Sequence, residues 1–455
     1  MKKIAAALLV SAAVLLTACS ASDSSDKNKA SDEIQKKLDG ILSSDGELLT
    51  GELENKTIKF LSTWDINPDA TGKSVPLELA LFQQKYGGNI ETKIVSWSER
   101  YEQLAYSING GEGIDFFPAN DFDAFPKGAI KDMFVPVDDY IDYSSPLWTD
   151  VKEANDRFMW DGKHYIICTD VTSDCIMIYN RTVMNEMGFE DPAKLYSEGK
   201  WTWDTLKDML SKFCDENESR YGIDGWYFEA GISKTTGVPY IGLENGRIVN
   251  NMRNSDIERV QNYMYDLYKS GYILDKSKFE WTEHPEFIAS GKELFYPCGM
   301  WKLYCEKSQW SSLFGDDAFF VPMPKDPEAD EYYTPSGING YLMVKGGQNP
   351  EGVAKFTECK RFSVINQQVA DIAAEQFQND YGWTDEMMNM KKEAERLSSE
   401  NPVFDFYAGI SSDITLILDS AEYGIRASMA GTPWSETVDS VYDTVNQLID
   451  DATAE

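Results

Sequence analysis

Asp161-Gly162-Lys163-His164-Tyr165, then Tyr179-Asn180-Arg181, then Lys200-Trp201-Thr202-Trp203-Asp204-Thr205-Leu206 form the stretch whose reading decides the fold. Tyr165 to Thr169 and Cys175 to Tyr179 are short apolar runs bounded by polar residues, the pattern of two buried strands with a connection between them. Asn180-Arg181 opens a helical segment that Gly188 and Pro192 close. After a polar loop, Thr202 suits a helix N-cap, because its hydroxyl can accept from an unpaired amide of the first turn. Trp203, Leu206, Met209, Leu210 and Phe213 then recur at helical spacing, which predicts a second, amphipathic helix.

This order resembles the extracellular solute-binding proteins of carbohydrate ABC transporters, the maltose-binding-protein-like class. In that family a strand worded G-K-x-Y-x-x-P leads to x-Y-Y-N-K and then to a helix opening T-W-D-E. The forms here are Gly162-Lys163-His164-Tyr165, Ile178-Tyr179-Asn180-Arg181 and Thr202-Trp203-Asp204-Thr205. The family's proline after the tyrosine is missing, its place taken by Ile166 to Thr169. The resemblance implies an α/β, two-lobed periplasmic-binding-protein-like fold with three interlobe crossings. It further implies a monomer that holds a carbohydrate in the cleft and passes it to separate ABC transporter permease subunits, with no catalytic residues, no cofactor and no metal. On that reading residues 55–167 and 338–385 make lobe 1, and 168–337 and 386–455 make lobe 2.

The bulk numbers agree with a large folded chain. At 455 residues, 42% hydrophobic and 13% aromatic, it can bury two or three cores, and general disorder is excluded. Some of the 12 Trp and 24 Tyr are available to stack on sugar rings, although most such residues fill cores. The formal charge of −34 becomes −36 once Lys2 and Lys3 leave with a leader. Such acidity repels phosphate backbones and anionic surfaces, so nucleic acid is excluded as a partner. Apart from Cys19 there are six cysteines, whose separations fit no zinc motif, and free buried thiols are expected.

Met1-Lys2-Lys3 and the apolar run Ile4 to Leu16 make a charged head and a hydrophobic stretch too short to span a bilayer well. Leu16-Thr17-Ala18-Cys19 follows and resembles a bacterial lipobox. The expectation is a signal peptide over 1–18 and a lipidated Cys19 that anchors the chain to the membrane through lipid alone, on the extracellular or periplasmic face. Residues 19–54 then read as a flexible tether carrying one short amphipathic helix (Ile34, Leu38, Ile41, Leu42), with the folded body beginning near Asn55.

Thr57 to Leu61, a helix marked by Leu77, Leu81, Phe82 and Tyr86, Ile90 to Val95, a helix over Glu99 to Asn109, and Gly113 to Phe117 alternate as β, α, β, α, β, the pattern of a parallel sheet. Trp64 and Asp65 sit just past the first strand, where open α/β sheets bind ligands. Gly113-Ile114-Asp115 resembles the family's G-P-D strand entry, and the residues after it, Asn120 and Asp121, are implied to face the ligand. Asp121 equally suits an N-cap for a helix over Ala124 to Lys131.

Farther on, Trp226 and Tyr227 follow Gly222 and Gly225 with no helical or alternating continuation, as in a ligand-lining loop. Gly299-Met300-Trp301 resembles the family's G-x-W. It makes Trp301 the foremost site candidate, with Tyr304 one turn on. Phe319 to Pro324, Gly337 to Val344 and the helix opening Asn349-Pro350-Glu351 resemble the family's return segment, and a third crossing is expected near Tyr381 to Lys392. A closing helix follows Pro433-Trp434.

Two other readings stay open. A tethered glycoside hydrolase needs two carboxyl groups across a glycosidic bond, and 76 Asp and Glu residues always furnish a pair. A receptor of the same fold for peptides or sugar phosphates needs an arginine cluster, for which Arg247, Arg253, Arg361 and Arg426 are available. No Gly-x-x-x-x-Gly-Lys-[Ser/Thr] loop or Gly-x-Ser-x-Gly elbow occurs.

Overall fold

The computed structural model of the protein describes residues 29–68, 73–225, 227–280, 282–420 and 424–454. Trp226, Cys19 and the leader lie outside the described residues. The helices used below are α1 Asp32–Asp45, α2 Leu77–Tyr86, α3 Arg100–Gly110, α4 Trp203–Phe213, α5 Phe228–Lys234, α6 Ser255–Lys269, α7 Pro350–Ile365, α8 Gln367–Tyr381, α9 Asp385–Glu400 and α10 Trp434–Thr453. The strands are β1 Thr57–Ser62, β2 Asn89–Ile94, β3 Phe116–Pro118, β4 Ile166–Ser173, β5 Cys175–Asn180, β6 Tyr221–Ile223, β7 Glu293–Gly299, β8 Ala318–Pro322, β9 Thr334–Met343 and β10 Pro402–Val403.

Two sheets organise the chain. The first has the order β10-β9-β3-β1-β2, with β4 pairing on β9; the second has the order β8-β5-β7-β6. Strands β1, β2 and β3 are parallel, as their alternation with helices requires, while β9 returns antiparallel to both β3 and β4. The deciding stretch behaves as its pattern predicts. β5 is buried along its whole length because it is central, flanked by β7 and β8. Thr202 Oγ1 accepts from the Thr205 amide at 3.4 Å, and α4 buries Trp203, Leu206, Met209, Leu210 and Phe213 on one face. Burying each of these is worth about 1.5–3 kcal/mol, so this stripe and not helix propensity holds α4 in place.

The chain changes sheet at one residue. β4 runs to Ser173, β5 begins at Cys175, and Asp174 alone joins them. The return comes between β8 and β9. A third change follows α8, where Trp383, Met387 and Met388 enter the core of the second sheet.

Two boundaries differ from those read in the sequence. The folded body does not wait for Asn55. Leu38 and Ile41 of α1 are buried in one core with Ile58, Phe60 and Leu81, and Gln84 Nε2 donates to the Gln35 carbonyl at 2.8 Å. The amphipathic stripe therefore seals the first lobe and is not part of a loose tether. Nor does the tail 386–455 belong wholly to the second lobe. Met387, Met388 and Ala394 do pack there, but Phe404, Phe406, Trp434 and Val445 share a core with Phe122, Phe125 and Leu342 of the first sheet and its loops, and with Tyr240 and Ile257. Phe122 meets Phe404 and Phe406 at ring separations of 5.3 and 5.4 Å, an aromatic contact that heptad-style reading of single helices cannot reveal.

The six cysteines in the described residues are free, four of them buried. Among the described residues no helix is long and apolar enough to cross a membrane.

Candidate binding site

Strands β1, β2 and β3 end level with one another. Ser62 pairs with Ile94 in register, and Phe60 pairs with Phe116, which sets Pro118 beside Ser62. Their carboxyl ends thus share one edge, the position where such sheets take ligands. Trp64, two residues past β1, is 39% exposed and its ring stands edge-on to Phe60 at 5.8 Å. Asp65 is engaged locally. Its Oδ1 accepts from the Asn67 amide and Nδ2, both at 3.0 Å, and from Thr92 Oγ1 at 2.5 Å, which ties the loop to β2.

Asn120 is half-buried and Asp121 exposed, just past β3. Asp121 is not a helix cap, since the short helix that follows is Lys127–Ile130 with Pro126 before it. What orients Asp121 is its neighbour. Phe122 takes φ of 55°, unusual for an aromatic residue, and stacks on Phe158 at 5.4 Å, so the chain folds inward at 122 and leaves 121 facing out. Although exposed, the Asp121 carboxyl has protein crowded about it. That desolvation, then the charges of Asp123 and Asp174, push its pKa up to about 7, against the pull of Arg100.

The second sheet carries the other aromatic candidates. Trp301 is 57% exposed at the turn after β7, and its Nε1 donates to Tyr227 Oη at 3.1 Å. Tyr227 precedes α5 and is largely desolvated, which raises its pKa. Gly299 makes room for the pair: a Cβ there would lie 2.4 Å from Trp301 Nε1 and 3.2 Å from Tyr227 Cε1. Tyr304 is 49% exposed and stands edge-on to Phe377 and Tyr381 of α8, at 5.1 and 5.9 Å.

Asp174 connects the two halves. It sits at the joint of the sheets, and its charge contributes to raising the pKa of both Asp121 and Tyr227. Lys234 of α5 pairs with it at 3.1 Å. Burial works against the Lys234 ammonium, yet Asp174 and Asp405 outweigh it and hold its pKa above the usual lysine value.

Three of the four arginines that an anion receptor would use are paired with carboxylates. Arg361 is fully buried, donating to the Leu147 and Thr169 carbonyls and pairing with Asp150. Arg426 pairs with Glu229 at 2.5 Å, and Arg253 with Asp439 at 3.3 Å. Among the described residues no group of three or more His, Cys, Asp or Glu side chains is placed to hold a metal ion.

Residues 79–389, more than half of the chain, match the family of bacterial extracellular solute-binding proteins. The chain belongs to that family. A maltotriose-binding protein of Pyrococcus abyssi is 30% identical over 142 residues, a match covering 30% of this chain and 28% of that protein. The match therefore spans under a third of the curated relative's length. Among solved structures, the ABC substrate-binding protein Lmo0181 of Listeria monocytogenes, in complex with cycloalternan, superposes with a TM-score of 0.62 at 17% identity, covering 86% of this chain and 99% of that one. The sugar-binding protein MalE of Xanthomonas citri gives 0.62 at 14% identity, covering 87% and 98%. At these identities the likeness is one of fold, and the fold is the two-lobed one.

Of the residues that sequence singles out in this solute-binding protein, Tyr227 and Trp301 are in direct contact, and Asp121 stands exposed past β3. Trp64 shares the sheet edge with Asn120. Tyr304 belongs to a separate aromatic group with α8, and Asp65 is occupied by its own loop. Trp226 lies outside the described residues. Sequence reasoning passed over Asp174 and also Trp97, which is 53% exposed beyond β2. The rule that found Trp64 beyond β1 would have found Trp97.

Proposed function

We propose that this solute-binding protein is a membrane-tethered receptor. It captures a carbohydrate between its lobes and delivers it to the permease subunits of an ABC importer. The observation that carries this reading is the exposed Trp301 held by Tyr227 beside one sheet, with Trp64 and the Asp121 carboxylate exposed past the strand ends of the other. An indole face offers stacking to the C–H face of a sugar ring, and a carboxylate accepts from two of its hydroxyls. A relative named for maltotriose, a structural neighbour solved with cycloalternan and a cyclo/maltodextrin-binding protein solved with maltotetraose support the same ligand class. The lobes that close on the ligand are those built around the two sheets, hinging at Asp174, at the β8–β9 connection and after α8.

In this reading Cys19 carries the lipid anchor, Asn120 and Trp64 line the first-lobe wall, and Trp226 and Tyr304 extend the second. The receptor acts as a monomer without cofactor and leaves its ligand unchanged. The test is thermal unfolding of the chain from Ser20 onward with neutral oligosaccharides, monosaccharides, sugar phosphates and short peptides. A ligand at about 100 times its dissociation constant adds about 2.7 kcal/mol, which is readily seen as a rise in melting temperature. A rise with one sugar class, and that sugar recovered intact, supports the receptor. Cleaved sugar would replace it with the glycoside hydrolase, and a rise with peptides or phosphates alone would change the substrate class.

A further inference from the structure

Trp97 is an exposed indole held by an unusually well-built support. The Arg100 guanidinium lies 3.5 Å from the Trp97 ring centre and 4.6 Å from that of Tyr101. Arg100 also donates to the Trp97 carbonyl and pairs with Asp123, with only 11% and 19% of the two side chains exposed. One face of the indole is thus backed by a nearly buried cation, while 53% of the residue remains open to solvent. A stacked guanidinium and a desolvated ion pair fix the ring without covering it. A ring fixed in advance loses little freedom when a ligand stacks on it.

Its position along the sheet edge gives that ring a use. β3, β1 and β2 are neighbours in that order and end level, so Asn120 and Asp121, then Trp64, then Trp97 follow one another across the edge. With strands ~4.8 Å apart, the row is about 10 Å wide, comparable to a run of linked sugar rings rather than to one. β2 is the outermost strand, farthest from the joint at Asp174, so Trp97 stands at the outer end of the row.

We infer that Trp97, backed by Arg100, is an outer stacking surface of the cleft, and that the ligand is an extended oligosaccharide reaching past the Asp121 and Trp64 positions. The inference rests on the carbohydrate reading given above. It makes Trp97 a determinant of chain length and Arg100 a positioning residue that acts through it.

Titration calorimetry of the chain from Ser20 onward, with malto-, cello- and xylo-oligosaccharides from disaccharide to pentasaccharide, tests this. In the series the protein binds, affinity is expected to climb with length. Trp97→Ala should leave the disaccharide within about twofold and weaken the tetrasaccharide about tenfold, the worth of one good stacking contact. Trp97→Phe should recover most of that loss. Arg100→Lys, which keeps a charge for Asp123 but loses the flat backing, should weaken the longer members alone. Its melting temperature, with that of Trp97→Ala, serves as the folding control. An equal loss at every length in Trp97→Ala, or no loss at any, overturns the inference while the receptor stands. If the unaltered protein binds no member of any series, the carbohydrate reading itself falls, and the inference with it.

Discussion

Trp301 Nε1 donates to Tyr227 Oη at 3.1 Å, joining the turn after β7 to the residue that opens α5. The bond fixes the rotation of an indole that is otherwise 57% exposed, so an open apolar face is presented in one orientation. A solvent-facing tryptophan with so little packing contributes little to stability, and its ordering is better understood as preparation for a ligand.

Two substitutions separate that role from folding. Trp301→Ala should weaken carbohydrate binding about tenfold while the melting temperature stays close to that of the parent. Gly299→Ala should give a similar loss with Trp301 still in place. Gly299 has φ of −61° and ψ of 147°, which any residue adopts, so only the added Cβ, 2.4 Å from Trp301 Nε1, does the damage. Calorimetric affinity alongside unfolding checks both, and unchanged affinity in Trp301→Ala would remove it from the site.

Asp121 is expected to make binding depend on pH. Its pKa stands at about 7 in the fold against 3.8 for an ordinary aspartate. As a hydrogen-bond acceptor for sugar hydroxyls it works best when ionised, so affinity should rise between about pH 6 and pH 8. Stability runs the other way. Between 3.8 and about 7 the folded chain holds a proton that the unfolded chain has lost, so this group makes the protein less stable as pH rises through that window. Asp121→Asn should flatten both profiles. It should bind more weakly than the parent at pH 8 yet melt no lower. Parallel pH profiles in the two proteins would show that Asp121 controls neither.

The fate of Cys19 is a separate matter. A lipidated cysteine with two or more acyl chains holds a protein at a membrane stably, whereas no helix in the described residues can. Cys19→Ala should release the folded receptor into the medium or periplasm with its ligand affinity unchanged. Fractionation and a binding assay on the released material check this, and retention at the membrane would refute lipid anchoring.

How far the sequence carries can be judged residue by residue. Strands such as Cys175–Asn180 and the helix opened by Thr202 were legible because apolar periodicity and a cap are local signals, and local signals survive folding here. Trp301 stands out in the sequence because Gly299-Met300-Trp301 resembles the family's G-x-W, and it is exposed in the turn after β7. Asp65 reads as a site residue by position, and an Asp followed two residues later by Asn also favours the turn seen here, in which Oδ1 accepts from the Asn67 amide. In the sequence Asp115 reads only as a strand entry. It is a buried anchor, accepting from the amides of Lys59, Gln348 and Asn349 at 2.6 to 2.7 Å, partners more than 50 positions away in either direction. Asp174 was passed over for a similar reason: a lone polar residue between two strands gives no sign that the strands belong to different sheets. The core shared by Phe122, Phe404 and Trp434 was hidden too, because contacts across such separations leave no periodic trace.

A second acidic group should shape the stability of the second lobe. Glu293, 1% exposed, opens β7 and accepts from the Asp224 amide at 2.5 Å through Oε1, while its Oε2 has no hydrogen-bond partner among the described residues. Asp224 is held in turn by the His284 amide at 2.7 Å and Lys276 at 3.2 Å, and Glu283 accepts from Tyr296 Oη at 2.5 Å. Burial first, and then the Asp224 charge, raise the Glu293 pKa well above the ordinary carboxylate range, against the Asp224 amide and Lys276. The folded chain therefore keeps a proton on Glu293 at pH values where the unfolded chain has released it, and stability falls as pH climbs from the ordinary glutamate pKa toward the raised one. Glu293→Gln keeps an oxygen for the Asp224 amide and removes the need for that proton. Its melting temperature should match the parent's near pH 4 and exceed it at pH 8. A variant that melts lower than the parent at both values would mean that Glu293 is ionised in the fold and paired with Lys276.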